Sequence, residues 1–443
     1  MTTGADSPLN ADQLSCDVAI VGGGVAGLWL LNLLSQRGYN VLLFEAEALG
    51  NAQSIASQGM IHGGIKYALG AALTGASEAI ARMPDRWRSC LQGKGDLDLS
   101  DVSVVAHKYH MWSDGKLGKL GSFFASHALR GRVDTLERAD YPSVFQTPSF
   151  NGTVHALNDL VLDVKSLLSA LTANYHDKIV AAKVTGAEFE TSVEKASEID
   201  KGRLRSLRLN SGQSVRANQF IFSAGSGNRV FADALREAGH SHAPATQLRP
   251  LHQVFVVHPD LQELHAHCIT GIRRAEPRLT ITTHALDPDQ LGQSFSGQTR
   301  LGWYIGGHLA TAGVKRTAEA QIEVTRKELA ATLPWIDWSI ASIETLRIDR
   351  AEPRQHLGTK PDEACVVRCG NAMLCWPTKL SLVPDLGDQV VNSIEPPQPS
   401  SIPYSAPTSH SRSDTASHTH SHTPSHTPSD GRVPVAQPPW LRF

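Results

Sequence analysis

The stretch Asp17-Val18-Ala19-Ile20-Val21-Gly22-Gly23-Gly24-Val25-Ala26-Gly27 decides the fold. Its first five residues read as a compact apolar strand that stops at three glycines. From Ala26 to Arg37, Leu28, Leu30, Leu31, Leu33 and Leu34 recur at helical spacing, and Gly38 follows as a C-cap. Val41-Leu42-Leu43-Phe44 is a second buried strand, closing on Glu45. The result is a strand–turn–helix–strand unit whose turn reads Gly22-x-Gly24-x-x-Gly27.

Those glycines have separate physical uses: a tight turn, close approach of backbone to a pyrophosphate, and close packing of helix on strand. The start of the helix then offers N–H groups and a positive dipole end to the phosphates. Glu45 lies 18 residues past Gly27, where a carboxylate accepts hydrogen bonds from an adenosine ribose. The same carboxylate repels a 2′-phosphate, which disfavours NADP. NAD and FAD both fit this unit.

Further along the chain of 443 residues, a loop rich in Ser, Gln and Gly runs from Asn51 to Gly64. Residues 75 to 92 read as a helix interrupted by Pro84, and Asp163 as the N-cap of a helix through Leu167, Leu168 and Leu171. From Lys178 to Ser223 the period changes to two. A turn at Ser211-Gly212 leads there to a buried strand ending in Ile221-Phe222-Ser223-Ala224-Gly225. Residues 247–310 again read as strands. Thr317 to Leu333 is an amphipathic helix ended by Pro334, and Met373 to Trp376 is a short strand.

Bulk properties narrow the class. Hydrophobic residues make up 41% of the chain, enough for an extensive core. A net charge of -2, with a pI near 6.9, argues against a nucleic-acid partner or an anionic membrane surface. Six cysteines, at 16, 90, 268, 365, 369 and 375, contain no CxxC pair, and no metal site is expected from them. They read as free thiols in a reducing compartment. Met1 to Ser15 carries no signal pattern and no apolar run spans a bilayer, so a cytoplasmic location is expected. Beyond Glu395 the composition turns to Pro, Ser, Thr and His. Residues 396–443 are expected to be a disordered low-complexity tail, with His410, His418, His420, His422 and His426 in a hydrophilic spacer. Pro438-Pro439-Trp440 could dock back on the body.

Three segments together resemble the FAD-dependent D-amino-acid-oxidase-like (DAO) family. They are the unit from Asp17 to Glu45, the strand ending at Ala224-Gly225, and Gly370-Asn371 through Trp376-Pro377-Thr378-Lys379. Within that family, Ser57-Gln58-Gly59-Met60-Ile61-His62-Gly63-Gly64-Ile65-Lys66-Tyr67 is similar to the flavin-side loop of glycerol-3-phosphate and L-2-hydroxyglutarate dehydrogenases. The resemblance implies FAD held by Gly22, Gly24, Gly27, Glu45, Ser57, Gly59, His62, Gly63 and Gly64. It implies further contacts from Ala224, Gly225, Trp376, Thr378 and Lys379. Two departures limit it: the further helical domain of glycerol-3-phosphate dehydrogenases is absent, and Trp-Pro-Thr-Lys replaces the Gly-His-x-Gly loop of amine-oxidising relatives.

The expected architecture is α/β. A Rossmann-type FAD domain (14–92, 153–240 and 345–395) interleaves with a smaller α+β substrate domain on an antiparallel sheet (93–152 and 241–344). The expected reaction transfers a hydride from a small hydroxy acid or polyol phosphate to flavin N5. Amino-acid or secondary-amine oxidation is the alternative, and a non-catalytic flavoprotein scaffold is the rival from another class. His62, His252 and Lys379 are the catalytic candidates, with His308 a further possible base. Arg249, Arg300, Arg350 and Lys379 are candidates for an anionic substrate. Oxygen, a quinone or a carrier protein all remain open as electron acceptor.

Overall fold

The computed structural model describes residues 13–64, 79–113, 133–190, 202–270, 276–286, 300–354, 363–397 and 432–442. Its first sheet is built around Gln13–Val21, which pairs in parallel with Val41–Glu45 on one side and Ser214–Phe222 on the other. Ile179–Ala181 extends this parallel core beyond Val41–Glu45, and Ala372–Trp376 extends it beyond Ser214–Phe222. Antiparallel strands complete the sheet at Val184–Phe189, Leu204–Leu209 and Cys365–Cys369.

Why these runs are continuously apolar follows from where their side chains go. Successive residues of a strand point to opposite faces, and here both faces are covered. Val18 and Ile20 join Leu43, Ile221 and Met373 under the helices Val25–Gln36 and Val383–Ser393. Ala19 and Val21 join Phe44, Phe222 and Leu374 against the helix Asn228–Glu237. A strand buried on two sides has no polar alternation to show.

The first helix is buried from Val25 through Leu34. Its Asn32 amide donates to Leu28 O (2.9 Å) and to Leu171 O (2.7 Å) on the helix Val164–Ala173. Asp163 caps that second helix as expected, its Oδ1 accepting from Ser166 N at 2.6 Å. Gly387 lets the helix Val383–Ser393 close on Val25–Gln36, since a Cβ there would come within 3.0 Å of Trp29 Nε1.

The second sheet is led by twelve consecutive antiparallel pairs between Thr246–Val257 and Ser342–Pro353. Arg300–Gly306, Leu279–Leu286, Ala266–Cys268, Tyr109–Ser113, Thr153–Leu157 and Val133–Thr135 follow in order. One of its pairings, Ala266–Cys268 with Tyr109–Ser113, is parallel. The outer face packs Val254, Val256, Trp303 and Ile305 against Leu329 of the helix Ala318–Thr332 and against Trp338. The inner face looks back at the first sheet.

A small three-stranded sheet, Met60–Ile61 with Leu160–Leu162 and Val104–Ala106, fixes the loop 57–64 between the two large sheets. Of the tail expected at 396–443, residues 398–431, with their histidines, lie outside the described residues, as do Ile65, Lys66 and Tyr67. Residues 432–442 correct that expectation, because they are packed on the body. Val435 bridges Leu49, and the Trp440 ring stacks on His284 (3.9 Å) and Phe255 (6.1 Å). Trp440 buries its indole where most of the segment carries nothing to bury.

Candidate active site

Between the two large sheets lies a cavity of about 790 Å³, within the usual range of cofactor and ligand sites. The glycine turn forms one end. Gly22 adopts φ +107°, and a Cβ on it would sit 2.7 Å from Ala224 Cα. A Cβ on Gly27 would sit 1.9 Å from Gly22 O and 2.9 Å from Ser223 Oγ. Only glycine allows the helix to start this close to the strand ends, which leaves the first N–H groups facing the cavity. The N-cap residue, Gly24, offers no side-chain cap of its own. Instead Ser54 reaches over, its Oγ accepting from Val25 N at 3.1 Å.

Glu45 closes the same end. Its Oε2 accepts from Gly23 N at 2.6 Å and its Oε1 from Glu47 N at 3.0 Å, so the carboxylate is fixed at the cavity edge while only part of its hydrogen-bonding capacity is used. A diphosphate at the helix start and a ribose at Glu45 fit this cradle.

At the other end, the strand Ala372–Trp376 runs into Pro377-Thr378-Lys379. Thr378 has φ +61°, and Lys379 N donates back to Pro377 O at 2.6 Å. That is a tight three-residue turn of a kind rarely occupied by a non-glycine residue, and the Thr378 hydroxyl steadies it by donating to Glu363 O (3.0 Å). The Trp376 indole N–H is buried without a hydrogen-bond partner in the protein, and its ring borders the cavity. A planar heteroaromatic group with acceptor atoms suits this wall.

His62 lines the same region and is 8% exposed. Its backbone N–H donates to Ser381 Oγ (2.9 Å), and Gly63 N donates to the buried Asp159 Oδ1 (2.8 Å). The loop is therefore held from both sides. Gln58 pins it to the second sheet by donating to Thr280 O (3.0 Å) and Tyr304 O (2.9 Å). The Tyr304 hydroxyl lies 2.8 Å from Gln253 Oε1 and 3.0 Å from Ala56 O, and burial pushes its phenol well above the ordinary tyrosine range.

The structure thus brings Gly22, Gly24, Glu45, Ser57 and His62 to the cavity wall, together with Ala224, Gly225, Trp376, Thr378 and Lys379. Gly27 acts from beneath. Gly59, Gly63 and Gly64 do not line the cavity: Gly59 takes φ +68° where a Cβ would meet Leu162 O at 2.1 Å, so strand packing is its reason. Ser57 lines the wall, but its hydroxyl accepts from Gly59 N (3.3 Å), and the helix start is served by Ser54. Ser54 sits in the loop singled out in the sequence, yet nothing local distinguishes it from Ser57.

His252 is a correction. It faces the outer side of the sheet, where Nδ1 donates to Gly313 O (3.0 Å), and the Gln321 amide donates to His252 O (2.8 Å). Burial lowers its pKa, which keeps the ring neutral in a packing role. Its neighbours Leu251 and Gln253 face the cavity, so a period-two count from either of them excludes His252. His308 is exposed beside Glu276 (3.4 Å), and neither it nor Arg300 lines the cavity. Arg249 and Arg350 do, as cross-strand partners in register. Arg249 also pairs with the buried Glu352 at 3.2 Å. Cys375 borders the cavity, and burial pushes its thiol far up.

Among the described residues no helix is long and apolar enough to cross a membrane. The family described as FAD dependent oxidoreductase (DAO) matches residues 17–351. The chain is 44% identical, over 384 residues, to the probable FAD-dependent oxidoreductase PA4991 of Pseudomonas aeruginosa, covering 86% of this chain and 91% of that protein. The crystal structure of PA4991 superposes with a TM-score of 0.70 at 35% identity, covering 97% of this chain and 98% of the other. More distant structures share the fold. Glycine oxidase from Geobacillus kaustophilus matches with a TM-score of 0.58 at 15% identity, over 86% and 94% of the two chains. L-alpha-glycerophosphate oxidase from Mycoplasma pneumoniae, with FAD bound, matches with a TM-score of 0.57 at 14% identity, over 87% and 97%. With its glycine cradle, the Glu45 carboxylate at the cavity edge and its two-sheet cavity, this chain belongs to the DAO family of FAD-dependent oxidoreductases and is an enzyme that uses FAD.

Proposed function

We propose that this flavoenzyme oxidises a small anionic substrate, a hydroxy acid or polyol phosphate, at a carbon bearing a hydroxyl group. One observation carries the reading. Arg249 and Arg350 stand directly opposite each other on the cavity face of the sheet, and like charges in that position cost stability. Glu352 already offsets part of that cost by pairing with Arg249 at 3.2 Å, and an anion held beside Arg350 offsets the rest through charge-assisted hydrogen bonds. Lys379 adds a third cation from the facing loop. When bound, FAD supplies the hydride acceptor.

His62 is the base in this reading. Its loop is fixed by Ser381 and Asp159, which places an imidazole on the cavity wall to take the hydroxyl proton as the C–H bond breaks. The likeness of residues 57–64 to the corresponding loop of glycerol-3-phosphate and L-2-hydroxyglutarate dehydrogenases supports the same choice. The buried carboxylate of Glu352, also on the cavity wall, favours a second reading: oxidation of an amino acid or secondary amine, with Glu352 receiving the nitrogen. Glycine oxidase shares the fold. We place the reaction in the cytoplasm on the six free cysteines, with oxygen, a quinone or a carrier protein reoxidising the flavin.

Anaerobic mixing of the holoenzyme with panels of hydroxy acids, polyol phosphates, amino acids and secondary amines tests both readings through bleaching of the flavin absorbance. Bleaching by a hydroxylated anion, lost in His62→Ala, is the expected result. Bleaching by amines alone overturns the first reading in favour of the second.

A further inference from the structure

A cluster of metal-ligating side chains lies outside the active cavity. His240 and His242 sit in the turn after the helix Asn228–Glu237, and Cys369 ends the strand Cys365–Cys369. The ligand atoms of the three residues all lie within 4.8 Å of one another. Linear spacing hides them, because Cys369 is 127 residues from His242; the fold supplies the histidine partners that the cysteines lack in the sequence.

The geometry suits a tetrahedral metal. Metal–sulfur and metal–nitrogen bonds of about 2.3 and about 2.0–2.1 Å, across a tetrahedral angle, put S and N about 3.6 Å apart. Cys369 Sγ lies 3.7 Å from His242 Nε2. His240 Nε2 is 3.0 Å from Gly202 O and must donate to it, which leaves Nδ1 with its lone pair. A carbonyl fixing the far nitrogen is how ligating histidines are commonly oriented. The turn itself is held by backbone bonds from His240 N to Leu235 O (3.0 Å) and from Ala243 N to His240 O (3.0 Å). Gly370, at φ +61°, brings the hairpin against the His240 ring, where a Cβ would meet Cε1 at 3.3 Å.

We propose that His240, His242 and Cys369 bind one zinc-class divalent cation that staples the turn after Asn228–Glu237 to the hairpin carrying Trp376. One thiolate and two imidazoles, with no carboxylate, select a borderline or soft metal over calcium or magnesium. On binding, the Cys369 thiol proton leaves to solvent. The His242 proton moves from Nε2, where it now meets Arg368 O at 2.8 Å, to Nδ1, and the exposed ring turns off that carbonyl to give Nε2 to the metal. His242 is exposed, so water completes the fourth position. Cys369 pairs with Ala372 at the start of the strand that ends at Trp376, about 13 Å away at the usual rise per strand residue. The metal therefore braces the strand from the end opposite the flavin loop and takes no part in electron transfer. The proposal is independent of the substrate reading.

Full-length protein stripped with EDTA and titrated with Co²⁺ provides the test. The expected result is a near-ultraviolet thiolate-to-cobalt charge-transfer band that saturates at one Co²⁺ per chain and is displaced by Zn²⁺. Cys369→Ser and His242→Ala should each abolish it; the second replaces an exposed side chain and should leave thermal unfolding of the metal-free protein unchanged. Metal held by the tail histidines gives no such band, since residues 396–443 contain no cysteine. Absence of the band in the wild type, or a band of equal intensity in Cys369→Ser, overturns the proposal.

Discussion

Gly27→Ala is the sharpest perturbation of the cofactor cradle. The added Cβ would stand 1.9 Å from Gly22 O, and real Cβ contacts essentially never fall below 3.0 Å, so helix and strand must separate by roughly 1 Å. Neither side yields cheaply. Gly22 O belongs to a turn already at φ +107°, and Val25 through Leu34 are packed on all sides. Overpacking of this kind costs about 1–3 kcal/mol. Because the displaced element is the helix start that meets the diphosphate, most of the cost falls on FAD binding, a loss of about 5- to 150-fold in affinity. Gly186→Ala is the internal control: its Cβ meets only Arg208 Cβ, at 3.7 Å, an ordinary contact on a strand residue that does not line the cavity. Calorimetric titration of deflavinated protein with FAD, beside thermal unfolding, should place Gly186→Ala with wild type and both well above Gly27→Ala. Equal FAD affinity in Gly27→Ala and wild type would refute the reasoning.

Three further outcomes follow from the same geometry. His62→Asn should retain FAD while losing about 10²- to 10⁴-fold in the rate of flavin reduction, whereas His252→Gln, on the outer face of the sheet, should leave that rate intact and lower only the melting temperature. Burial holds the imidazoles of His284 and His265 at pKa values of about 3 and about 4, below the ordinary 6.5. The unfolded chain then binds protons that the folded chain refuses, so stability is full above pH 6.5 and falls as the pH drops through 6.5 towards 3; removing one site in His284→Gln should flatten the slope of denaturation midpoint against pH. Trp440→Ala should cost about 3–5 kcal/mol, read from denaturant unfolding, because the indole is 5% exposed and stacks on His284; an unchanged midpoint would mean that residues 432–442 do not dock.

The first unit was legible because each of its signals is local. Glycine spacing, helical leucines and the carboxylate at Glu45 are properties of adjacent residues, and the cradle reproduces them in place. The second sheet was legible only as a run of strands. Which of His252 and Gln253 meets the cavity depends on strand parity, and parity is set by what packs on each face: Leu329 and Gln321 outside, the cavity inside. Nothing within Arg249 to Val257 marks that choice, so local sequence points to His252 while the fold turns Gln253 to the cavity. Ser54 and Ser57 differ in the same way, one turned to the helix start by a loop whose path is set by Gly50 and Leu49. The composition of 396–443 likewise masks Trp440, since one large side chain can anchor a segment whose average cannot.

The two faces of the second sheet differ in what they carry. On its outer side the long antiparallel pair buries Val254, Val256 and Ile343 against helix and tryptophan. On its inner side the same two strands present Arg249 opposite Arg350 and Gln247 opposite Glu352. An antiparallel sheet needs only one packed apolar face, so the other is free to carry polar groups. Here charged groups line the cavity, two cations abreast with a carboxylate diagonal to Arg249 that pairs with it at 3.2 Å. The glycine cradle at one end and those side chains at the other differ in kind: the first is built of backbone, the second of charged groups, and in the proposed reading the second is where substrate choice resides.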